Sequence, residues 1–280
     1  MPATCRPHWT KSWQSINSFQ IIGEYTVGII GGEVGYRLLR KLDNVSPGND
    51  LTTAYDGVSK MEVLFGPEIW SQLANRTVLD FGCEGGIEAM DMAQHGVSRV
   101  IGLDIREEVL EGARRAAKAA GLDDRCTFTT EVKEKVDVVV SLDAFEHFAD
   151  PLAMLGVMRS LLKEDGYVLT CFGPTWYHPL GGHGFSIFPW AHLVFTEPVL
   201  MRWHREKFGS NAYRFEEVAG GLNQLTLRRF TKIVAQSDFE FESFTAVPIR
   251  RLNFLANKLT REFTTAVVRC KLVPRKRYGS

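Results

Sequence analysis

The sequence predicts an α/β protein built around a mostly parallel sheet, and three observations carry this. The apolar strand Thr77-Val78-Leu79-Asp80-Phe81 runs into a glycine-rich turn, Gly82-Cys83-Glu84-Gly85-Gly86, and then into a helix. Between residues 77 and 172, short β-forming runs alternate with segments of helical period, the pattern of parallel strands joined by crossover helices. A second apolar strand ends Ile101-Gly102-Leu103-Asp104 one helix later. In a doubly wound sheet, an acid at that place hydrogen-bonds ribose hydroxyls beside the strand ends.

Each element has its own warrant. Residues 1–45 read as helical: Trp13, Ile16, Phe19 and Ile22 recur every three residues, Val34, Leu38 and Leu39 share a helical face, and Gly31-Gly32 divides the two pieces. Pro47-Gly48-Asn49 is a loop, and 53–75 should form short helices. Strands are expected near 77–81, 99–104, 126–130, 136–142 and 166–172, with helices near 86–95, 107–120 and 151–163. Asp150 and Pro151 suit an N-cap and a first turn, and Gly121 a C-cap. After Phe172 the rhythm stops, and residues 173–215, rich in Gly, Pro, His and aromatics, read as an insertion on the ligand side of the sheet. A helix over 222–237, a strand over 239–247, a helical face of Leu252, Leu255, Ala256 and Leu259, and a strand over 263–273 complete seven strands. The expected division is a helical cap or lid over 1–75, a core over 76–273 that carries the insertion, and a tail over 274–280.

The turn also specifies its ligand. Glycine lets the backbone approach a bound group, and a helix N-terminus offers free N–H groups. The pattern is not G-x-G-x-x-G, however, because Glu84 holds the second glycine position. A carboxylate there repels a pyrophosphate seated on the helix dipole and attracts a cation. S-adenosylmethionine carries a sulfonium and an ammonium and no phosphate, so the charge pattern favours it over a dinucleotide. The alternative for Asp104 is an N-cap role for the helix that follows.

Taken together, Asp80-Phe81-Gly82-Cys83-Glu84-Gly85-Gly86, Gly102-Leu103-Asp104, Asp137-Val138-Val139-Val140-Ser141, Phe145-Glu146-His147 and 161–167 occur in one order over residues 76–172. In this the chain resembles the class I S-adenosylmethionine-dependent methyltransferases, in particular the small-molecule group with a methyltransferase type 11-like core. The main departure is Glu84, where the family usually has glycine. The resemblance implies a Rossmann-like seven-stranded sheet with an antiparallel last strand. It also implies cofactor contacts from Asp80, Gly82, Glu84, Gly86, Asp104, Ile105 and Ser141, with Glu84 accepting the α-ammonium and Asp104 the ribose hydroxyls. An acid after the third strand, usual in relatives for the adenine amino group, is replaced here by Thr129 and Thr130.

Methyl transfer to a hydroxyl needs a base. His147, and behind it His183 and His178, are the candidates, since histidine titrates near neutrality. Trp176, Tyr177 and Trp190 of the insertion, with Tyr25 of the N-terminal segment, are expected to line the acceptor site, and Tyr36 and Tyr55 are further lid residues. An aromatic satellite core holding a long loop is the alternative reading of the insertion. His178, His183, His192 and His204 lie 5, 9 and 12 residues apart, which matches no compact metal motif, so no metal is expected. The expected reaction is methylation, at oxygen first, of a small and partly apolar molecule. Cyclisation of the cofactor with release of methylthioadenosine, and a cofactor-binding module without activity, are the rivals.

Composition bounds the rest. The chain has 280 residues, with 33 basic and 33 acidic side chains. This balance leaves no overall basic footprint for nucleic acid. Five scattered cysteines without a C-x-x-C pair read as buried thiols in a reducing cytoplasm. No leader is evident, and no apolar run is long enough for stable membrane insertion. The basic run 271–277 reads as a solvated chain end.

Overall fold

A computed structural model of the chain describes residues 28–43, 57–218 and 220–276. In chain order the elements are α1 (Gly32–Leu42), α2 (Lys60–Phe65), α3 (Ile69–Leu73), β1 (Thr77–Phe81), α4 (Ile87–Gln94), β2 (Arg99–Leu103), α5 (Glu107–Ala119), β3 (Cys126–Thr129), β4 (Val136–Leu142), α6 (Pro151–Leu161) and β5 (Leu162–Phe172). The insertion holds α7 (Ala191–Val194) and α8 (Glu197–Phe208). After it come α9 (Leu227–Gln236), β6 (Phe239–Pro248), α10 (Arg261–Thr264) and β7 (Thr265–Pro274). The expected helix around 13–22, Tyr25 and Tyr55 lie outside the described residues.

The seven strands form one sheet in the order β3-β2-β1-β4-β5-β7-β6. β1 to β5 pair in parallel, and β7 runs antiparallel to both β5 and β6. The predicted seven-stranded, mostly parallel sheet with its antiparallel last strand is therefore present. The sheet is covered on both faces, which is why its strands read as nearly unbroken apolar runs. Along β1 and β4 the side chains alternate between faces: Leu79 and Val139 enter one core cluster, and Val78, Val138 and Val140 the other. In the first cluster Phe145, Phe172 and Phe230 meet edge to face at 4.7–5.4 Å for the pairs that involve Phe230, a geometry worth roughly 0.5–1.5 kcal/mol per pair beyond burial.

Several boundaries differ from expectation, each for a local reason. β5 begins directly after α6, because Leu162 already pairs with Val136 before a register shift. α9 starts at Leu227 rather than 222, because Gly220, Gly221 and Gln224 have positive φ. Thr226 then caps the helix through Arg229 N–H at 3.1 Å. The face of Leu252, Leu255, Ala256 and Leu259 is not a buried helix: Arg250–Leu255 is a 3₁₀ turn with no buried residue. The basic run is not a free end either, since Lys271 pairs with Glu242 and Arg275 donates to the carbonyls of Phe239 and Ala235 at 2.8 Å each.

The expected boundary at residue 75 also moves. Met61, Leu64, Ile69 and Leu73 are buried in the second core cluster, so α2 and α3 belong to the core. By contrast, Tyr36 and Leu39 of α1 join Trp176, Leu200 and Trp203 in a third cluster built on the insertion.

Gly102 shows how little space the sheet leaves near its ligand end. A Cβ there would lie 2.4 Å from the Phe128 ring and 2.9 Å from Cys83 Sγ. Gly102→Ala should cost about 1–3 kcal/mol through overpacking, read as a lower urea midpoint with unchanged slope; an unchanged midpoint would refute the tight packing.

Candidate active site

The order of the sheet reverses between β1 and β4, and doubly wound folds bind ligands at such a switch point, outside the strand C-termini. The glycine turn leaves β1 on one side of that crevice, and the segment 143–147 leaves β4 on the other. Gly82 and Cys83 donate N–H groups to the carbonyl of Leu103 at 2.8 and 3.0 Å, which fastens the turn to the end of β2. Gly82 and Gly86 have φ of +86° and +76°, which only glycine adopts at little cost. At Gly86 a Cβ would also strike the Phe128 ring at 2.4 Å, whereas beside Gly85 there is open space.

Asp80 lies buried under this turn. Its Oδ2 has no hydrogen-bond partner among the described residues. Burial, and then the charge of Glu88, hold its carboxyl well above the usual carboxylate range. An unpartnered buried oxygen beneath the turn suits a cationic ligand group, which would restore its ionised form.

Asp104 is buried at the end of β2, and four N–H groups converge on it. Oδ1 accepts from Arg106 N at 2.9 Å and Nε at 3.1 Å; Oδ2 accepts from Glu84 N at 3.2 Å and Arg106 Nη2 at 3.1 Å. Burial opposes its ionisation, but the Arg106 hydrogen bonds outweigh it and hold the carboxyl below its usual range. The cap-like bond to Arg106 N and a ribose role are compatible. A ribose hydroxyl reaches Asp104 only if the Arg106 side chain moves, since backbone N–H groups fill just one position on each oxygen. Arg106 is half exposed and free to do so.

Glu84 departs from its expected role. Its side chain is 75% exposed and pairs with Arg106 Nη2 at 3.2 Å, so its carboxylate faces solvent rather than an ammonium in the crevice. Ser141 departs too: it is fully buried, its hydroxyl donates to the Phe81 carbonyl at 3.1 Å, and its carbonyl accepts from Thr170. It therefore ties β4 to its neighbours and offers a ligand no side-chain group. Ile105, half exposed beside Asp104, presents an apolar surface suited to a base. Thr129 spends its hydroxyl on the backbone of Glu131.

On the β4 side, Asp143 has φ of +47° and binds Lys60 at 2.6 Å. Lys60, missed in the sequence, comes from α2 and reaches Glu88 as well, at 3.5 Å. Burial disfavours its ammonium, but the Asp143 charge outweighs this and keeps it protonated. A Cβ on Gly82 would lie 3.4 Å from that of Ala144, so this segment passes over the glycine turn. Glu146 is buried; Oε1 accepts from Gly173 N at 3.1 Å, and Oε2 has no partner among the described residues. Burial, then the Asp143 charge, push its carboxyl up to about 8.

His147 Nδ1 lies 2.8 Å from the carbonyl of Gly221. Since a carbonyl only accepts, Nδ1 carries the proton and Nε2 is left as an acceptor. The rings of His147 and His183 meet edge to face at 5.3 Å. His183 has φ of +50° and its Nε2 has no partner among the described residues; burial, and then His147, push its pKa down to about 4. His178 Nδ1 accepts from Leu180 N, and burial lowers its pKa to about 4. His192 spends both nitrogens, on the Trp176 carbonyl and on Ser186. Among the described residues, no three His, Cys, Asp or Glu side chains converge as metal ligands.

The insertion's aromatics have a double character. Trp176 is buried between His192 and Phe215, as part of the satellite core. Trp190 has φ of +64° and donates Nε1–H to the Tyr177 carbonyl at 2.9 Å. The Tyr177 ring packs at a tilt against Phe263. Tyr36 bonds to Glu206 and lies under Arg202, so it joins α1 to α8 and is no lid residue. Packed side chains therefore fill the contact between α1 and α8.

These features fit S-adenosylmethionine: an orphaned acid for its cations, two carboxylate oxygens for vicinal hydroxyls, and an exposed apolar side chain for its base. Asp104→Ala should weaken binding of S-adenosylhomocysteine tenfold or more by calorimetry, since a charge-assisted hydrogen bond is worth roughly 1.5–3 kcal/mol. Arg106→Ala removes a competitor for the same oxygens and should tighten it; weaker binding would show that Arg106 supports the site. Glu146 supplies a pH test. Its folded pKa is raised, so its protonated form stabilises the fold below the unfolded value of 4.5, and this is lost as pH rises through about 8. The melting temperature of Glu146→Gln minus that of the parent should climb across that window and then level off, and a flat difference would contradict the assignment.

Comparison with known proteins agrees with this geometry. Residues 60–243 match a family model described as a methyltransferase domain. A ubiquinone biosynthesis O-methyltransferase of Neisseria meningitidis serogroup C is 36% identical over 105 residues, 35% of this chain and 44% of that protein. One of Ruegeria sp. is 39% identical over 138 residues, 46% of this chain and 50% of that protein. The chain thus spans about half the length of these curated relatives. The fold is similar to the crystal structure of an S-adenosylmethionine-dependent methyltransferase from Mesorhizobium loti, with a TM-score of 0.52 and 18% identity over 79% of this chain and all of that one. With its family match over most of the chain, its sheet order and the acids at its switch point, the chain belongs to the methyltransferase-domain family, in the class I group whose cofactor is S-adenosylmethionine.

Proposed function

We propose that the chain methylates a small, partly apolar molecule at oxygen, with His147 as general base. The observation that carries this reading is the Gly221 carbonyl on His147 Nδ1 at 2.8 Å. It leaves Nε2 as a proton acceptor at the end of the segment 143–147. Relatives named ubiquinone biosynthesis O-methyltransferases support an oxygen acceptor.

When bound, the cofactor supplies an electrophilic methyl group on sulfur. The chain's own residues then position and deprotonate. Asp104 orients the ribose, and Asp80 faces the cationic end. His147 takes the acceptor hydroxyl proton at Nε2 while its Nδ1 stays on the Gly221 carbonyl. His183, neutral because of its burial, adds no opposing charge beside the imidazolium that forms. Asn223 holds the supporting loop by donating to the carbonyls of Phe145 and Phe148 at 2.6 and 2.8 Å. Tyr177 and Trp190 are the insertion residues assigned to touch the acceptor; both are only partly buried.

The test is turnover on a panel of phenols and catechols, followed as S-adenosylhomocysteine. His147→Gln should lower kcat by about 10²–10⁴-fold and leave affinity for S-adenosylhomocysteine within twofold. An unchanged kcat would remove His147 as base, and methylthioadenosine as the product would replace methyl transfer by cyclisation.

A further inference from the structure

The connection between β6 and β7, residues 249–264, gathers several exposed apolar side chains into one short segment. Phe254 is 82% exposed and Leu259 90%, with Leu255 and Phe263 near half. Arg250, Arg251, Lys258 and Arg261 are exposed among them. The one acid of the segment, Glu262, faces inward: its carboxylate caps α9 by accepting from Leu227 N at 3.0 Å and Arg228 N at 2.8 Å. The outward face is therefore apolar and cationic, with no opposing acid of its own.

This surface is built rather than frayed. Ile249 N–H donates to the Thr264 carbonyl at 2.7 Å and closes the neck. At the tip, Asn257 Oδ1 accepts from Leu259 N at 2.8 Å and Thr260 N at 3.2 Å, while Asn257 N donates to Thr260 Oγ1 at 3.1 Å. These bonds form the turn that carries Leu259, which is 90% exposed.

Charge decides what would cover it. A second copy in a symmetric contact would set four cations against four. An anionic bilayer complements both features, since apolar side chains enter the boundary between headgroups and acyl chains while Arg and Lys pair with phosphates. We propose that the β6–β7 loop docks the protein peripherally on an anionic bilayer through Phe254, Leu255 and Leu259, rimmed by Arg250, Arg251, Lys258 and Arg261.

The position of the loop gives the docking a consequence. Pro248 pairs with Thr265, and Phe172 at the end of β5 pairs with Val268, so the loop leaves the sheet at its ligand end. Phe263 also packs on Tyr177 of the insertion, with ring centroids 5.1 Å apart. Docking turns the crevice toward the bilayer, so an acceptor with a hydrocarbon portion enters from the membrane. That consequence rests on the methyl-transfer reading; the docking itself does not.

The test is sedimentation of the full chain with vesicles of phosphatidylcholine alone and of two parts phosphatidylcholine to one part phosphatidylglycerol. Partition should be at least tenfold higher on the anionic vesicles. Each of Arg250→Gln, Arg251→Gln and Lys258→Gln should lower it roughly fivefold, and the pair Phe254→Ser with Leu259→Ser tenfold or more. S-adenosylhomocysteine affinity should stay unchanged in every variant, which separates this result from any failure of the catalytic reading. Equal partition on both vesicle types, or partition indifferent to the Phe254 and Leu259 changes, would overturn the proposal. So would a dimer in light scattering that the same changes abolish.

Discussion

Two hydrogen bonds, from Gly82 and Cys83 to the carbonyl of Leu103, set the geometry on which the ligand crevice depends. They fix the turn after β1 to the end of β2, and so bring Glu84 N–H onto Asp104. The left-handed φ of Gly82 and Gly86 follows from this attachment. Phe128, against which neither Gly86 nor Gly102 could carry a Cβ, occupies the space that side chains would otherwise need. The close fit of the turn backbone against the end of β2 is thus a packing consequence of β1, β2 and β3 together.

The crevice balances buried acids against few cations. Asp80 and Glu146 lie buried with one unpartnered oxygen each among the described residues, and burial favours their neutral forms. Asp104 is ionised because Arg106 and backbone N–H groups converge on it. Arg106 also neutralises Glu84, so the glutamate that argued against a phosphate acts in concert with an arginine. Lys60 plays the matching part for Asp143. A cationic ligand entering such a site meets acids whose charge the fold has partly withheld.

The histidines divide by their partners. His192 is consumed by the packing of the insertion and His178 by a local turn, whereas the rings of His147 and His183 meet edge to face, and among the described residues the Nε2 of neither has a hydrogen-bond partner. Sequence ranked His147 ahead of His183 and His178 by its place after the fourth strand, without their partners. Their difference arises from the Gly220-Gly221 backbone, which lies far along the chain from His147, and from the burial of the satellite core.

The sequence by itself determined the sheet, because covered parallel strands must be apolar on both faces and their glycine turns and caps are local signals. It also marked Asp80, Gly82, Gly86 and Asp104, which lie at the ends of β1 and β2 and in the glycine turn. The boundaries at 222 and 162, the structural use of Ser141, and the outward turn of Glu84 were not legible, since each depends on a partner distant in sequence. The same holds for Lys60, Arg106 and Asn223, whose residue types are common on surfaces. Leu252, Leu255, Ala256 and Leu259 had a helical period, yet only the tertiary structure decided that they face outward: Glu262 is drawn inward to cap α9, and the Asn257 turn leaves no length for a helix to pack back on the sheet.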